Sequence, residues 1–591
     1  MKKILFFFCF LFSLTIYAQD TPIPFLKDGK WGYCNKEMKV VIPCIYDEAF
    51  PFFEDRALVQ FFDSIAPNTK SFFINSKGEV VIKLNNSTPG CPASRFQNGL
   101  AIVENYNIPS WGETSNLCVI NKFGEVIHKV ENATMDPELS MIKTYSAAFN
   151  KDGIYTGQIY YEGKTQSVFI FNDKRKPIIL DFPYITSFNA GHAFAKTQYI
   201  EGDTASQFAL INNNGEIVIP AGKFNFSLDF NTNPTETELL FPFSDNGKCG
   251  YTDEKGQIKI EPKFEKAFYF SEGLALVARI SGYDEHNLPL YQYGYIDTNG
   301  NLVIPFQFIQ GFNFREGIAE VALKDSVLFI DTKGNRLFSF ASSMTNDVVS
   351  VPGMYGAYNY DHGFINGFAA LYINDMIGFI DRKGAFAIKP FYYGLFRIGP
   401  SMVVSPVENG IVRLSSSTVL GYQEYYVDIN GKPYIEQAAH LLPARESAIL
   451  IYSHADFKSK TDTLLPQYCP KVIKFTGKKG KIKGKKGEWI EINGWNKNGF
   501  VFSADFNINS IVSINPKGSE LYETKTADKI TKYIPAGTIL FLAPKEHILN
   551  LGSDKMINVL LYNYSSENER GFETESLWIK ANNVKLLKKQ S

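Results

Sequence analysis

The stretch "DGKWGYCNKEMKVVIP" at residues 28–43 has close counterparts further along the chain. One is "NGKCGYTDEKGQIKIEP" at 246–262, and another is "YQYGYIDTNGNLVIP" at 291–305. Each copy contains the same features in the same order. Gly and an aromatic residue come first, a polar turn residue follows, and a strand rich in β-branched residues comes last. A phrase that returns with its spacing intact indicates a repeat architecture, so the period of the repeat decides the fold.

Ten polar residues mark the turn of this phrase. In chain order they are Asn35, Asn75, Asn121, Asn172, Asn212, Asp253, Asp297, Asp331, Asp381 and Asp428. Their mean spacing is about 44 residues, and eight of them are followed three residues later by Gly. Asp or Asn at the first turn position accepts backbone amides, and Gly supplies the positive φ that closes a hairpin. Met38 and Arg175 replace the Gly in the other two turns, which are therefore expected to differ.

Strand patterns flank each marker. A large apolar or aromatic residue stands two positions before it, and a β-branched strand follows it and ends in Pro, as in "VVIP" at 40–43. A second phrase comes about ten residues later, as in "FSEGLALV" at 270–277. These patterns predict three antiparallel strands in each repeat. Since Pro has no amide to donate, we expect it to end its strand.

The predicted fold class is all-β. Residues 20–435 are expected to form a tandem array of about ten three-stranded antiparallel meander repeats, either propeller-like or an open superhelical stack. One meander cannot bury its faces alone, so stacked copies must supply the missing surface. Closed propellers usually contain four to eight blades, and about ten units therefore favour an open or irregular array.

The first copy also resembles a known family. "GKWGYCNKEMKVVIPCIYDEAF" is similar to the bacterial WG repeat, also called the KWG repeat, whose usual form is G-K-W-G-[aromatic]-x-D-x-x-G-x-φ-V-I-P-x-x-Y-D. The resemblance runs from about Lys27 to Ile435, although only Trp31 keeps the namesake tryptophan. It implies a binding or scaffolding array more than it implies a reaction.

The C-terminal part has a different character. Residues 436–469 are expected to be a linker or cap, and "GEWIEI" followed by "GFVFSADF" resembles the bacterial SH3-like barrel, which would occupy 470–591. Trp489 and Trp495 could line a peptide-binding groove there. Packing the interior of a small barrel is the more ordinary role for both.

The N-terminal residues have the pattern of a signal peptide over residues 1–18. Lys2 and Lys3 precede a short apolar run, and Ala18 is a small residue suited to cleavage. Gln19 stands where a lipoprotein would carry Cys. No later segment is long and apolar enough to span a membrane. We therefore expect an exported protein, periplasmic or secreted, that is not a lipoprotein.

Charge is unevenly distributed along the chain. From Lys471 onward there are 20 Lys plus Arg against 12 Asp plus Glu, a local charge of +8, which leaves about −11 for residues 19–470. Within the basic part, Lys481, Lys483 and Lys485 would share one face of a strand. Such a face would attract an anionic partner. An exported protein rarely meets nucleic acid, so the expected partner is a protein, a peptide or an anionic envelope glycan.

Cysteines and histidines show no pattern of a chemical site. Cys34 and Cys44 would lie four steps apart along a hairpin ladder, too far for a disulfide, so we expect mostly free, packed thiols. The seven histidines lack metal-ligand or triad spacing, and "GKKGKIKGKKG" at 477–487 lacks the spacing of a phosphate loop. No metal or cofactor is expected.

Together these features predict an exported, non-catalytic binding or scaffolding protein of the bacterial cell envelope. One enzymatic alternative stays open, a carbohydrate-active hydrolase with two carboxylates in a cleft of the array. Such a pair needs only spatial proximity, so it can be hidden in a sequence.

Overall fold

The computed structural model describes most of the chain between residues 21 and 586. The described residues are 21–62, 69–84, 93–104, 116–134, 149, 152–161, 164–173, 175–186, 188, 190–196, 208–226, 239–341, 363–373, 376–392, 397–398, 401–402, 409–418, 421–436, 442–443, 449–459, 461–464, 471–482, 484–494, 497–503, 506–507, 510–513, 519–527, 530–534, 539–543, 555–564 and 572–586. The expected signal peptide lies outside them. No helix among these residues is long and apolar enough to cross a membrane.

The repeat region consists of ten small antiparallel sheets in the described residues, numbered here as units 1 to 10. Units 1 to 5 comprise β1 (Ile23–Lys27), β2 (Lys30–Cys34), β3 (Val40–Tyr46); β4 (Glu48–Ala49), β5 (Ala57–Phe62), β6 (Thr69–Ile74), β7 (Val80–Leu84); β8 (Leu100–Glu104), β9 (Asn116–Asn121), β10 (Val126–Glu131); β11 (Ala133–Thr134), β12 (Ile154–Tyr161), β13 (Lys164–Phe171), β14 (Ile178–Leu180); and β15 (Tyr184–Ile185), β16 (His192–Lys196), β17 (Phe208–Asn212), β18 (Ile217–Ile219). Units 6 to 10 comprise β19 (Asn225–Phe226), β20 (Leu240–Asp245), β21 (Lys248–Asp253), β22 (Ile258–Phe264); β23 (Lys266–Ser271), β24 (Leu274–Tyr283), β25 (Pro289–Asp297), β26 (Leu302–Phe308); β27 (Gln310–Gly311), β28 (Ile318–Leu323), β29 (Ser326–Asp331), β30 (Arg336–Ala341); β31 (Phe368–Ile373), β32 (Met376–Asp381), β33 (Phe386–Tyr392); and β36 (Ile411–Thr418), β37 (Gly421–Asp428).

The remaining strands lie outside these units. They are β34 (Arg397–Ile398), β35 (Ser401–Met402), β38 (Leu442–Pro443), β39 (Ile449–Tyr452), β40 (Thr461–Leu464), β41 (Lys471–Ile482), β42 (Lys485–Gly494), β43 (Lys497–Phe502), β44 (Phe506–Asn507), β45 (Ser510–Ser513), β46 (Ser519–Tyr522), β47 (Ile530–Ile534), β48 (Ile539–Leu542), β49 (Met556–Tyr564), β50 (Phe572–Lys580) and β51 (Val584–Leu586), with a 3₁₀ helix at Ala581–Asn583. The nearly all-β fold is confirmed.

Each unit is a meander in which strands adjacent in sequence are hydrogen-bonded neighbours. Six of the units carry a fourth, leading strand that the repeat pattern did not predict, and it is often only two residues long, as in β19. Two residues are too few to show a period, which explains why the sequence indicated three strands.

The predicted turns are confirmed. In the Asp297 turn, the side-chain Oδ1 accepts the amides of Asn299 and Asn301, each at 2.9 Å, and the amide of Gly300 donates to the Asp297 carbonyl. All eight predicted glycines have a positive φ, and Met38 bears the same conformation at 64° despite its β-carbon. Arg175 is not in this conformation; its amide instead donates to Asp173, so that turn differs.

The strand after the marker ends at its proline as predicted in unit 5, where β18 stops at Ile219, but it continues past the proline in units 1, 6, 7 and 9. In unit 1, β3 continues past Pro43 to Tyr46, and the register shifts there because the strand bulges. The bulge lies over the glycine of the repeated phrase: a β-carbon on Gly32 would sit 2.6 Å from the carbonyl oxygen of Ile42. Proline is tolerated at a bulge because its missing amide breaks no ladder bond there.

Buried apolar clusters join each unit to the next. One cluster contains Tyr251 of unit 6 with Phe270 of unit 7, and the following cluster contains Tyr295 of unit 7 with Phe314 of unit 8. Similar clusters connect all consecutive pairs from units 1 and 2 through units 9 and 10. Neighbouring units therefore cover the apolar faces that one meander cannot bury alone, as the repeat predicts.

The array closes into a ring, and the preference for an open stack is wrong. The cluster around Trp31 contains residues of units 9, 10, 1 and 2, so the last unit packs against the first. At this seam the amide of Leu26 donates to the Tyr434 carbonyl at 3.2 Å, and the amide of Glu436 donates to the Leu26 carbonyl at 2.8 Å. Burial of the end faces drives closure, and sequence spacing carries no signal of it.

The C-terminal part forms a five-stranded sheet in the order β40-β39-β43-β42-β41 and a seven-stranded sheet in the order β47-β46-β50-β49-β48-β45-β51. Among the described residues these sheets do not close into the expected SH3-like barrel, because strands from 449–464, taken for a linker or cap, extend the first sheet. Lys389 of unit 9 forms a 3.1 Å ion pair with Glu520, so this part contacts the ring there.

The described cysteines are free thiols, as predicted. They are Cys34, Cys44, Cys118 and Cys249. Cys34 pairs with Val40 across the hairpin rather than with Cys44. Burial raises the pKa of the Cys34 thiol to about 12, so it stays protonated and unreactive at neutral pH. Cys91 and Cys469 lie outside the described residues.

Candidate functional site

The basic segment is a hairpin formed by β41 and β42. Lys481 pairs with Lys486 and Ile482 pairs with Lys485, so the turn falls at residues 483 and 484. Gly484 has a φ of 85°, which suits a tight two-residue turn. Lys483 lies outside the described residues. The chain therefore reverses in the middle of the lysine run.

The prediction that Lys481 and Lys485 share a face is wrong. It treated the run as one strand, but the turn places these two lysines on different strands. Directly opposed residues of an antiparallel pair point to the same side, and neighbours along a strand alternate. Lys481 therefore shares its face with Lys486 and with Lys479, whereas Lys485 lies on the opposite face, beside Ile482.

Glycines determine which face of the hairpin points inward. A β-carbon on Gly480 would lie 3.2 Å from ring atoms of Phe457 and Phe502, and one on Gly487 would lie 2.8 Å from the Phe502 ring. Aromatic rings therefore cover the glycine face. The alternating face, with Lys479, Lys481 and Lys486, is exposed to solvent.

Trp489 belongs to the interior and not to a binding groove. It is 2% exposed, and its ring centroid lies 4.5 Å from that of Phe457, 5.0 Å from that of Tyr452 and 5.6 Å from that of Phe502. Its place two residues after Gly487 puts it on the covered face. Trp495 lies outside the described residues.

Positive charge on the hairpin is weakly compensated. Lys479 faces Glu488 across the two strands, but Lys481 faces another lysine. Within the part of the chain that the structure describes, no carboxylate lies within ion-pair distance of Lys481, Lys485 or Lys486. The ammonium groups are exposed and available to an external anion.

A second charged cluster lies at the seam of the ring, and no pattern in the sequence predicted it. Arg413 of unit 10 places Nη2 at 2.6 Å from Oε1 of Glu48 in unit 2 and at 2.8 Å from Oε2 of Glu424. Its guanidinium carbon is 5.3 Å from the ring centroid of Trp31. Burial, the largest single effect, would lower the pKa of Arg413, but Glu48, Tyr426 and Glu424 together outweigh it and raise the pKa. Arg413 stays charged.

The two seam carboxylates are close together but are not arranged for catalysis. Because both contact one nitrogen of Arg413, their oxygens lie within about 5.4 Å of each other, near the separation found in retaining glycosidases. Glu48 is only 7% exposed and Glu424 is half-buried, and both share the single positive charge of the Arg413 guanidinium. A buried, paired carboxylate cannot reach a sugar or take a proton from water.

Unit 8 holds two further buried polar groups that sequence reasoning missed. Glu320 is 6% exposed, and burial raises the pKa of its carboxyl to about 7. Asn313 is 8% exposed, and neither amide atom has a hydrogen-bond partner within the described residues. Both occupy positions where other repeats carry different side chains, so a consensus of the repeat hides them.

The described residues contain no cluster of three or more possible metal ligands.

Unit 7 differs from its neighbours by a longer hairpin. Strands β24 and β25 stay paired as far as Tyr283 and Pro289, whereas in unit 6 the corresponding hairpin turns at Asn246 and Gly247. The extension exposes apolar side chains: Tyr283 and Leu288 are each 59% exposed. It is the second surface feature, after the basic hairpin, suited to contact with another molecule.

One known family matches parts of the repeat region. The family description "WG containing repeat" matches residues 31–61, 250–278 and 293–325, which fall in units 1 and 2, 6 and 7, and 7 and 8. Three stretches of this chain are WG repeats. The WG repeat match does not extend to the C-terminal part, and the SH3-like resemblance there has no support.

Comparisons of the whole chain are less informative. A search of curated proteins found no significant relative. Among solved structures, a eukaryotic initiation factor is 11% identical with a TM-score of 0.34, covering 62% of this chain and 95% of that one. The tricorn protease is 10% identical with a TM-score of 0.21, covering 95% and 63%. The extracellular domain of a protein described as a one component system of B. thetaiotaomicron is 8% identical with a TM-score of 0.20, covering 96% and 90%. At these scores the likenesses carry no functional argument.

Proposed function

We propose that this WG-repeat protein is an exported, non-catalytic binding or scaffolding protein of the bacterial cell envelope, periplasmic or secreted. The observation that carries the proposal is the exposed lysine face of the β41–β42 hairpin, attached to a ring of opposite net charge. The ring itself provides a rigid body, because every unit buries its faces against two neighbours. The leader-like pattern at residues 1–18 supports export.

Two surfaces would divide the work of binding. The basic hairpin would hold an anionic envelope component through exposed ammonium groups, whose attraction weakens as salt screens it. The projecting hairpin of unit 7 would contact a protein through apolar side chains such as Tyr283 and Leu288. Aromatic and aliphatic side chains at the centre of an interface usually supply most of its binding energy.

The hydrolase alternative gains no support from the described carboxylates. Glu48 and Glu424, whose oxygens lie within about 5.4 Å of each other, both pair with Arg413, and Glu48 is buried. The proposal is therefore a binding protein. Turnover of an envelope polysaccharide by the purified protein would contradict it.

The direct test is recovery of envelope material by the mature chain. Immobilised protein lacking residues 1–18 should retain anionic envelope fractions at about 50 mM salt and lose them at about 500 mM, where the Debye length falls below about 5 Å. Charge reversal of the lysine face with K479E, K481E and K486E together should abolish retention. Equal retention by this variant, or retention indifferent to salt, would show that the hairpin is not the binding surface.

A further inference from the structure

Two lysines stand directly opposite each other on the exposed face of the basic hairpin. Lys481 of β41 pairs with Lys486 of β42, in a ladder whose register is continuous from Lys479 to the turn. Directly opposed residues have β-carbons about 4.5–5.5 Å apart, and like charges at such a site destabilise the pair. The sequence places a repulsive pair where an opposite charge would stabilise the hairpin.

Among the described residues, this is the only rung of the hairpin with like charges directly opposite each other. One step further from the turn, Lys479 faces Glu488, so the charges there compensate each other. On the other face, Lys485 faces Ile482 and has no charged partner opposite. Uncompensated charge of two units is thus concentrated at one rung of the ladder, on the face that solvent reaches.

A phosphate group fits this rung. Its oxygens lie about 2.5 Å apart, and each accepts a charge-assisted hydrogen bond of about 2.8 Å, so two ammonium groups up to about 7 Å apart can hold it together. Lysine stems are flexible enough to converge from β-carbons at cross-strand distance. A phosphate monoester carries close to two negative charges at neutral pH and matches two ammonium groups, whereas a single carboxylate carries one.

We propose that Lys481 and Lys486 form a two-ammonium clamp for a phosphate group. The proposal rests on the proposed function, since it specifies which anion the basic hairpin selects. Binding would relieve the repulsion between the two lysines, so the ligand would also stabilise the hairpin. The phosphate could be free or carried on a lipid headgroup, and the chemistry of the clamp is the same for both.

The register supplies a matched control. K481Q and K486Q each remove one arm of the clamp, whereas K485Q removes the same charge from the opposite face of the same hairpin. Binding of the mature full-length chain should be measured at about 50 mM salt with inorganic phosphate by calorimetry. It should also be measured by sedimentation with phosphatidylcholine vesicles that contain phosphatidic acid or, at equal surface charge, phosphatidylglycerol.

We expect K481Q and K486Q each to weaken phosphate-dependent binding about fivefold, because each removes one exposed charge-assisted hydrogen bond. K485Q should change this binding less than twofold. The double variant should lose little more phosphate binding than either single variant, because one remaining ammonium group does not hold the phosphate from two sides. Binding of both probes supports a clamp that accepts free phosphate, and binding of phosphatidic acid vesicles alone supports a headgroup site. Preference for phosphatidic acid over phosphatidylglycerol at equal charge supports selection of the monoester.

Other outcomes would overturn the clamp. Equal loss with K485Q and K481Q would mean diffuse charge attraction, which contradicts the clamp and leaves the proposed function intact. Failure of the unaltered protein to bind either inorganic phosphate or any anionic vesicle would contradict the clamp, whereas the proposed function is decided by retention of anionic envelope fractions. K486E provides a readout without ligand: it puts opposite charges across the rung, so it should raise the thermal midpoint slightly while it abolishes phosphate binding.

Discussion

The hydroxyl of Tyr295 in unit 7 donates a 2.7 Å hydrogen bond to the carbonyl of Phe312 at the start of unit 8. The same contact links Tyr33 to Phe50 and Tyr251 to Phe268, always across 17 residues. The tyrosine that stands two positions before the turn marker thus joins its own unit to the next. The hydroxyl reaches this carbonyl in the buried interior of the array, and burial raises the pKa of Tyr295.

Replacing this hydroxyl should weaken the junction between units. Y295F keeps the ring but leaves the Phe312 carbonyl without its donor, which costs about 1–2 kcal/mol of unfolding free energy. Phe already occupies the equivalent position in units 2, 8 and 9, so the ring alone is tolerated there. Urea unfolding of Y295F and the unaltered protein measures the difference. An unchanged midpoint would mean that the bond contributes no net stability.

The glycine of the repeated phrase should be intolerant of a methyl group. A β-carbon on Gly294 would lie 2.7 Å from the Ile304 carbonyl oxygen and 3.0 Å from the Phe306 nitrogen, both backbone atoms that cannot move independently. G294A should therefore cost roughly 2–3 kcal/mol, in the range of overpacked sites.

Gly282, in the same pair of strands, is the control for this substitution. A β-carbon there would meet nothing within 4 Å, so G282A should be neutral or slightly stabilising in the same denaturant experiment. Equal effects of the two substitutions would mean that close approach of the bulged strand is not the reason for the glycine.

The Arg413 cluster should control the stability of the ring seam. R413M leaves the buried Glu48 carboxylate and the half-buried Glu424 carboxylate without a counter-charge, which costs about 3–5 kcal/mol. Adding E48Q and E424Q removes both charges and should recover most of that loss. Thermal unfolding of the single and triple variants checks this. A triple variant as unstable as R413M would locate the cost in packing against Trp31 instead of in charge.

Glu320 should make stability fall as pH rises. Its pKa is about 7 in the folded protein, above the value near 4.3 of an exposed carboxyl, so the unfolded chain binds fewer protons between these values. Unfolding free energy should decrease from about pH 4.5 to pH 7, by roughly 3 kcal/mol from this group. E320Q should remove that decrease. Parallel pH profiles of E320Q and the unaltered protein would contradict the assignment.

The repeat itself was predictable because its signals are local. A turn marker, its glycine and the flanking apolar residues act within about ten residues of one another, and the Asp297 turn has the hydrogen bonds that those residues predict. Register follows from the turn position, and here the prediction failed for Lys481 and Lys485, because a run of lysines and glycines does not show where it reverses. The structure places that reversal at residues 483 and 484.

The seam could not be predicted for a different reason. Arg413 and Glu48 are in different repeats, far apart in sequence, and nothing in the repeated phrase marks them as partners. A contact of that kind depends on how the accumulated rotation of ten units brings the ends together. The rotation between neighbouring units cannot be read from any single unit. A small error in the predicted rotation at each junction would accumulate along the array.

Ring closure also sets the order in which the chain can finish folding. Leu26 obtains its partner only when Tyr434 and Glu436 have been synthesised, whereas the central units contact neighbours made shortly before them. A nascent chain therefore carries an exposed apolar face at Trp31 until its last repeat has been synthesised. This long-range contact slows folding and leaves an aggregation-prone surface exposed in the meantime. A product truncated before residue 410 would keep that end permanently open, and its fate would be aggregation or degradation instead of a smaller ring.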